Sequence, residues 1–185
     1  MDEQSPWRII SSTYPISTPF LRLRADAIEL PNGHIIHDYY VRETRGFVII
    51  FALTPNHDVV LVRQYKHGIG QYVVELPAGA IDEGEAPLDC ALRELSEETG
   101  YAGDPPELVA SYLGDPTNSN SIFHLYLVRN AAERGSQSLD ISEDITVETV
   151  PLEALRTKIH DGTIRTGSHI ASIYTVLDYL AKPAT

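Results

Sequence analysis

The sequence predicts an α/β fold in which a mixed β-sheet is covered by helices, and three observations support this prediction. Segments with strand character dominate the first half of the 185-residue chain. An amphipathic helix follows between Pro87 and Gly100, and further strands come after it. Two helical segments then end the sequence. Such a mixture of strands and helices along one chain is typical of domains that pack helices on a sheet.

The predicted strands are runs of apolar, β-branched and aromatic residues bounded by turn residues. Pro31, Asn32 and Gly33 form the turn of a hairpin near the N-terminus. The segment 46–53 is continuously apolar, which indicates a buried strand, and 131–138 reads as a polar loop. The full set of predicted strands is 21–30, 34–41, 46–53, 59–65, 72–76, 109–113, 121–128 and 145–150.

Three helices are predicted from capping residues and apolar periodicity. The first begins at Pro87, whose missing N–H costs nothing in a first turn, and it ends at Gly100. Apolar residues recur in it at i, i+3, i+4 and i+7, and we expect this stripe to face the core: Leu88, Ala91, Leu92 and Leu95. The other two helices span 151–160, starting with a proline, and 167–180.

Composition restricts the functions open to the chain. The 43% of hydrophobic residues is normal for a globular domain with a real core. The net charge of −12 argues against a nucleic-acid or anionic-membrane surface. The N-terminus has no apolar stretch of a signal peptide and no run is long enough to span a bilayer, so a cytoplasmic location is expected. Cys90 is the only cysteine, which excludes an intrachain disulfide and favours a structural role.

Three acids, Glu94, Glu97 and Glu98, lie in the last turns of the first predicted helix, where a helix least favours them. The helix C-terminus carries partial negative charge, and like charges three or four residues apart also repel. A local rule broken this openly indicates a functional site. A bound divalent cation would relieve the repulsion, although a solvated acidic helix is the alternative.

The spacing of these acids separates them into two groups. Glu94 and Glu98 lie about 40° apart around the helix, one turn apart along it. They flank one edge of the apolar stripe, so we expect them at the rim of the core as metal ligands. Glu97 points further away and lies four residues after Arg93, which can pair with it.

The residues around this cluster resemble the Nudix box. Gly79 is followed after five residues by Glu85 and, after seven more, by Arg93-Glu94-Leu95-Ser96-Glu97-Glu98-Thr99-Gly100-Tyr101, so every signature position is filled. The resemblance extends over most of the chain. It implies an α/β/α sandwich with a mixed β-sheet, together with a small N-terminal antiparallel β-sheet extension. The expected division is 1–45 for this extension, which serves dimerisation and the substrate pocket, and 46–185 for the hydrolase domain.

The resemblance also implies a chemistry and its residues. The family hydrolyses the pyrophosphate bond of a nucleoside diphosphate linked to another moiety, with Mg²⁺ as the expected cofactor and Mn²⁺ as the alternative. Glu94 and Glu98 would bind the metal together with the backbone carbonyl of Ala78. A carboxylate near the attacking water would take its proton, and Glu97 and Glu143 are the two candidates. Glu85 and Arg93 are expected to orient the loop against the helix.

The segments Leu61–Lys66 and Glu75–Gly79 narrow the resemblance to the ADP-ribose and nucleotide-sugar pyrophosphatases. In that branch the basic residue at the place of Lys66 contacts substrate phosphate, and a proline lies in a loop downstream of the box, as Pro116 does here. Arg45 is a second basic candidate for substrate binding. For each of these residues an ordinary surface or turn role is the alternative, as it is for Glu143.

The loop after Pro116 departs from the branch. Typical ADP-ribose hydrolases carry a glycine soon after this proline and an acid a few residues later, whereas this chain has Thr117-Asn118-Ser119-Asn120. ADP-ribose or another nucleotide sugar is the expected substrate. A GDP-sugar, a dinucleoside polyphosphate, a nucleoside triphosphate or a non-catalytic nucleotide sensor remain as alternatives. The expected partners are this small molecule and a second copy in a homodimer, with no nucleic acid and no membrane.

Overall fold

The structure is a computed structural model that describes residues 6–182. The chain divides into two compact units. One comprises residues 1–46 and 113–122, and the other comprises 47–112 and 123–185. Within the described residues, no helix is both long enough and apolar enough to cross a membrane.

The first unit contains an antiparallel sheet of three strands in the order β1-β2-β3. These strands are β1 (Arg8–Ser17), β2 (Arg22–Glu29) and β3 (Ile35–Glu43). The predicted hairpin between β2 and β3 is confirmed, with the Gly33 N–H bonded to the Leu30 carbonyl at 2.9 Å. Strand β1 was not predicted, because its sequence lacks regular alternation. It forms through pairing with β2, interrupted by two register shifts.

The remaining elements lie in the larger unit, apart from the last residue of β9 and the first residue of β10, which belong to the smaller one. The strands are β4 (Phe47–Ala52), β5 (Asp58–Lys66), β6 (Gln71–Glu75), β7 (Ala78–Ala80), β8 (Tyr101–Ala102), β9 (Glu107–Leu113), β10 (Ile122–Val128), β11 (Ala132–Glu133) and β12 (Ile145–Pro151). The helices are α1 (Pro87–Thr99), α2 (Leu155–His160) and α3 (Gly167–Ala181). The sheets have the orders β7-β4-β10-β9, β12-β5-β6 and β11-β8. The first is mixed, since β4 runs parallel to β10 and antiparallel to β7.

Strand β4 is buried on both faces, as its continuous apolar sequence predicts. Because side chains alternate along a strand, β4 contributes to two separate cores. Val48 and Ile50 pack with residues of α1 in one core, whereas Ile49 and Phe51 pack with residues of α3 in the other. Helices therefore cover both faces of the sheet, and the predicted α/β/α sandwich is confirmed.

The orientation predicted for α1 is wrong in detail. Leu88 and Leu92 are 42% and 47% exposed, whereas Ala91 and Leu95 are buried as expected. The buried face instead includes Cys90, Glu94 and Glu98. The helix is rotated so that Glu94 and Glu98 turn towards β7, and they lie within the buried face rather than at its rim.

Two smaller predictions are also corrected. Pro151 does not begin a helix, because it is the last residue of β12 and pairs with Asp58. The next N–H, that of Leu152, bonds to the His57 carbonyl at 3.0 Å, and α2 starts only after a turn of 3₁₀-helix. The predicted loop 131–138 contains strand β11, which pairs with β8. The other predicted strands are confirmed within a few residues.

Candidate active site

The loop between β7 and α1 is fastened to the helix by Arg93. Its guanidinium group binds the Glu85 carboxylate through two hydrogen bonds, at 2.8 Å and 2.9 Å. Glu85 also accepts the Asp82 N–H at 2.9 Å. These donors lower the pKa of Glu85 to about 2. Since Ala86 offers no side-chain cap, this ion pair is what fixes the start of α1.

Arg93 also contacts two of the acids in the cluster. Its Nη1 atom donates to Glu94 Oε1 at 2.8 Å and to Glu97 Oε2 at 3.0 Å. The Glu85 carboxylate, together with those of Glu97 and Glu94, raises the pKa of Arg93. One arginine therefore partly neutralises three acids, and the predicted pairing with Glu97 is present.

Glu98 is the most deeply buried acid of the cluster, with only 3% of its surface exposed. Its Oε2 atom accepts the Ala78 N–H at 2.9 Å. Burial raises the pKa of Glu98 to about 8, although the Ala78 N–H and the Lys66 charge act in the opposite direction. Burial also raises the pKa of Glu94, and Arg93 opposes this shift.

Glu94 lies directly against the backbone of Gly79. A Cβ atom added to Gly79 would fall 1.9 Å from the Glu94 carboxyl carbon, far inside any permitted contact. Glycine at this position thus leaves the space that the carboxylate occupies. Because Glu98 binds Ala78 and Glu94 adjoins Gly79, both carboxyl groups converge on two consecutive residues of β7.

This donor set fits a hard divalent cation. Two buried acids with raised pKa values gain most from a cation that replaces their protons. Within residues 6–182, no three Asp, Glu, His or Cys side chains together form a cation site. The two carboxylates that converge on β7 are an incomplete ligand set, and such a set suits a hard divalent cation that keeps several of its waters.

Glu143 and Lys66 are the remaining predicted site residues in the larger unit. Glu143 lies in the loop before β12 and accepts the Asp140 N–H at 2.9 Å. Its negative charge contributes to the raised pKa values of both Glu94 and Glu98. Lys66 ends β5, and its charge lowers the pKa of Glu98. The fold therefore places one further acid and one base in electrostatic contact with the paired glutamates.

Arg45 and Pro116 belong to the smaller unit. The loop that starts at Pro116 is bound to β3 by its own residues. Asn118 accepts the Arg42 N–H at 2.8 Å with its carbonyl and donates from its side chain to the Tyr40 carbonyl at 3.0 Å. The residues that replace the usual glycine and acid therefore have a structural role in this chain.

Sequence reasoning missed Gln137. Its side-chain Nε2 donates to the Glu98 carbonyl at 2.6 Å and to the Ile145 carbonyl at 3.2 Å. The Ser138 N–H also bonds to the Glu97 carbonyl at 2.9 Å. These bonds cover the end of α1 and hold both ends of the loop that carries Glu143. No local pattern identifies such a glutamine, because its partners lie 39 residues before it and 8 residues after it, outside any helix or strand period.

The fold and this site define a class of enzymes in which a glutamate-rich helix faces a glycine of the preceding strand. The sequence matches the NUDIX domain over residues 43–169 and the N-terminal domain of nucleoside diphosphate sugar hydrolases over residues 7–41. The chain belongs to the NUDIX family.

Individual relatives agree with this assignment. The chain is 35% identical to the methanol dehydrogenase activator of Bacillus methanolicus, over 71% of this chain and 70% of that protein. It is 30% identical to the ADP-ribose pyrophosphatase of Bacillus subtilis, over 79% of each chain. The crystal structure of an ADP compounds hydrolase superposes with a TM-score of 0.84 at 18% identity, over 97% of both chains. This last match shows the same fold.

Proposed function

We propose that this protein hydrolyses the pyrophosphate bond of ADP-ribose or another nucleoside diphosphate sugar, giving a nucleoside monophosphate and a sugar phosphate. The observation that carries the proposal is a pair of buried glutamates on α1 of a NUDIX domain, Glu94 and Glu98, whose carboxyl groups contact β7. The ADP-ribose pyrophosphatase among the relatives supports the substrate class. So does the N-terminal match to nucleoside diphosphate sugar hydrolases.

Mg²⁺, or Mn²⁺ in its place, would be held by Glu94, Glu98 and the Ala78 carbonyl. When bound, such an ion neutralises diphosphate charge and lowers the pKa of a coordinated water. Arg93 and Glu85 keep the loop and the helix in register, so that both ligands stay directed at β7.

We assign the general base to Glu143 in preference to Glu97. Glu97 Oε2 is already engaged by Arg93 Nη1 at 3.0 Å, so this oxygen is committed to an ion pair that belongs to the helix itself. Glu143 lies in the loop before β12, and its charge acts on both Glu94 and Glu98, which supports a role beside the proposed metal ligands. Exchange of either residue for glutamine, followed by measurement of kcat, separates the two candidates.

Substrate binding is proposed for Lys66, Arg45 and Pro116. Lys66 would contact phosphate as a point charge, without the two-pronged geometry of an arginine. Residues 1–45 are proposed to serve dimerisation and substrate binding, and 46–185 catalysis. Cytoplasmic location stays a sequence-based prediction.

A homodimer is proposed from the surface of β1. Every residue of this edge strand is exposed, among them large apolar side chains: Ile9, Ile10, Tyr14 and Ile16. Exposed apolar edge strands are surfaces that natural proteins cover. Light scattering coupled to size exclusion should give twice the mass of the 20.5 kDa chain, and a monomer at micromolar concentration would contradict the proposal.

The function is tested with a panel of ADP-ribose, ADP-sugars, GDP-mannose, NADH and nucleoside triphosphates in the presence of Mg²⁺. Phosphatase-coupled phosphate detection follows turnover, and Glu98→Gln serves as the inactive control. Preferred turnover of a nucleoside diphosphate sugar, with a nucleoside monophosphate as product, supports the proposal. Turnover of nucleoside triphosphates alone would change the substrate class. No turnover of any compound would favour the nucleotide-sensing alternative.

A further inference from the structure

A second buried polar cluster lies where the end of β6 meets the start of α3. It contains Glu75 and His169, which are only 6% and 5% exposed, together with Thr166 and Lys66. Of these residues only Lys66 has a role in the proposed reaction. A buried carboxylate costs several kcal/mol unless it is paired, so the partners of Glu75 need an explanation.

Each oxygen of Glu75 has its own partner. Thr166 donates its hydroxyl hydrogen to Oε1 at 2.6 Å, whereas Oε2 lies 3.4 Å from the Lys66 Nζ atom. Thr166 directly precedes α3, and Glu75 is the last residue of β6. The start of a helix thus fixes the rotamer of a carboxylate that faces the ammonium group.

His169 does not supply the positive charge in this cluster. Its Nδ1 atom accepts the Leu76 N–H at 3.2 Å, which requires that this nitrogen carry no proton. Burial lowers the pKa of His169 to about 4, so the ring is neutral near pH 7. Its Nε2 atom lies 3.8 Å from Glu75. Lys66 is therefore the cation that compensates the charge of Glu75.

Lys66 faces acids on two sides. Its ammonium group pairs with Glu75, donates a hydrogen bond to Gln64 Oε1 and also acts electrostatically on Glu98. A lysine side chain has four rotatable bonds, and 44% of the Lys66 side chain is exposed to solvent. Holding its end group before the substrate arrives removes an entropic cost from binding.

We propose that Glu75 and Thr166 are positioning residues that hold the Lys66 ammonium group at the diphosphate of the substrate. The inference rests on the proposed function, since it assumes that Lys66 binds phosphate. Thr166 orients Glu75, Glu75 orients Lys66, and Lys66 meets the substrate. Neither positioning residue touches the reacting atoms.

The test uses isosteric variants of the full chain with ADP-ribose and saturating Mg²⁺. Lys66→Met should raise KM by roughly tenfold or more, the equivalent of one lost charge-assisted hydrogen bond. Glu75→Gln should raise KM about fivefold and Thr166→Val about threefold, each with kcat changed less than twofold, because misplacing the ammonium weakens that bond only in part. Thr166→Ser, which keeps the hydroxyl, should restore the wild-type KM. Thr175→Val is the matched control, since its hydroxyl bonds within α3 and to Tyr112.

A double-mutant cycle separates positioning from a merely structural role. With Lys66→Met already present, Glu75→Gln and Thr166→Val should leave KM unchanged, because there is no ammonium group left to position. If Glu75→Gln or Thr166→Val raises KM in the Lys66→Met background by the same factor as in the wild type, the inference is overturned. It is also overturned if Lys66→Met alone keeps the wild-type KM. The Thr166 variants give this answer even where Glu75→Gln does not fold.

The two proposals fail in different ways. Wild-type protein that hydrolyses no nucleoside diphosphate sugar would refute the proposed function and, with it, this inference. If the wild type does hydrolyse such a substrate, but the effects of the Lys66 and Glu75 or Thr166 substitutions on KM are independent of each other, only the positioning role is refuted.

Discussion

Glu98→Gln gives the sharpest test of the candidate metal site, because it removes a charge and keeps the shape. The amide oxygen of glutamine can still accept the Ala78 N–H that Glu98 accepts at 2.9 Å. We expect turnover to be lost and the metal-free protein to become more stable. This combination is unusual, since most substitutions in a buried position destabilise a protein.

The size of the effect follows from the pKa of Glu98, which burial raises from 4.5 to about 8. A raised pKa means that the folded state holds the proton longer than the unfolded state. The stability linked to this group is fully present below pH 4.5 and is lost as the pH rises towards 8. Glutamine does not titrate, so its advantage over glutamate grows with pH. Between pH 5 and pH 8 this advantage should grow by about 3–4 kcal/mol, at up to about 1.4 kcal/mol for each pH unit.

Urea unfolding in EDTA at pH 5, 6.5 and 8 measures this difference directly. Glu97→Gln is the matched control, because Glu97 is 42% exposed and water screens its charge. Its difference from wild type should stay within about 0.5 kcal/mol. Added Mg²⁺ should stabilise the wild type and leave Glu98→Gln unchanged. Parallel pH profiles for wild type and Glu98→Gln, or full turnover by the variant, would refute this account of the site.

Three further predictions follow from the same site. Gly79→Ala should cut kcat/KM by at least a hundredfold and weaken Mg²⁺ stabilisation, because its Cβ would displace the Glu94 carboxylate; Gly167→Ala, with open space around it, should match wild type in both assays. Gln137→Leu should lower the free energy of unfolding by about 1–3 kcal/mol through loss of its two bonds to carbonyls, and it should lower kcat as well; an unchanged kcat would separate this side chain from catalysis. The Cys90 thiol, whose pKa burial raises to about 12, should resist iodoacetamide in the native protein and react in urea; rapid native labelling would contradict its burial.

The elements that sequence predicted best have strong local signals. Strand β4 was predicted because a short, continuously apolar run rich in β-branched and aromatic residues is typical of a buried strand. Helix α1 was predicted because a proline and a glycine mark its ends. The rotation of α1 was predicted wrongly, since apolar periodicity alone placed Leu88 and Leu92 in the core. In the structure the helix is instead turned so that the carboxyl groups of Glu94 and Glu98 contact β7.

The acids and the arginine of the candidate site were predicted because their spacing along one helix is fixed. The supporting residues were not predicted, because their partners lie far away in sequence. Gln137 bonds to residues on both sides of it, and Glu75 binds Thr166 across 91 positions. Neither the secondary-structure propensity of a residue nor the apolar periodicity of a segment indicates such contacts. The same holds for β1, whose pairing with β2 supplies the order that its own sequence lacks.

The loop between Ser138 and Ile145 is closed at its base by hydrogen bonds made at its two ends. Ser138 is tied to α1, and Gln137 holds both α1 and the first residue of β12. Because the two ends are fixed independently, the residues between them can change in length and sequence at a small entropic cost. Substitutions or insertions there should move the Glu143 carboxylate and leave the glutamate-bearing helix in place. This loop is therefore a natural point at which substitution can move the proposed general base without rebuilding the fold.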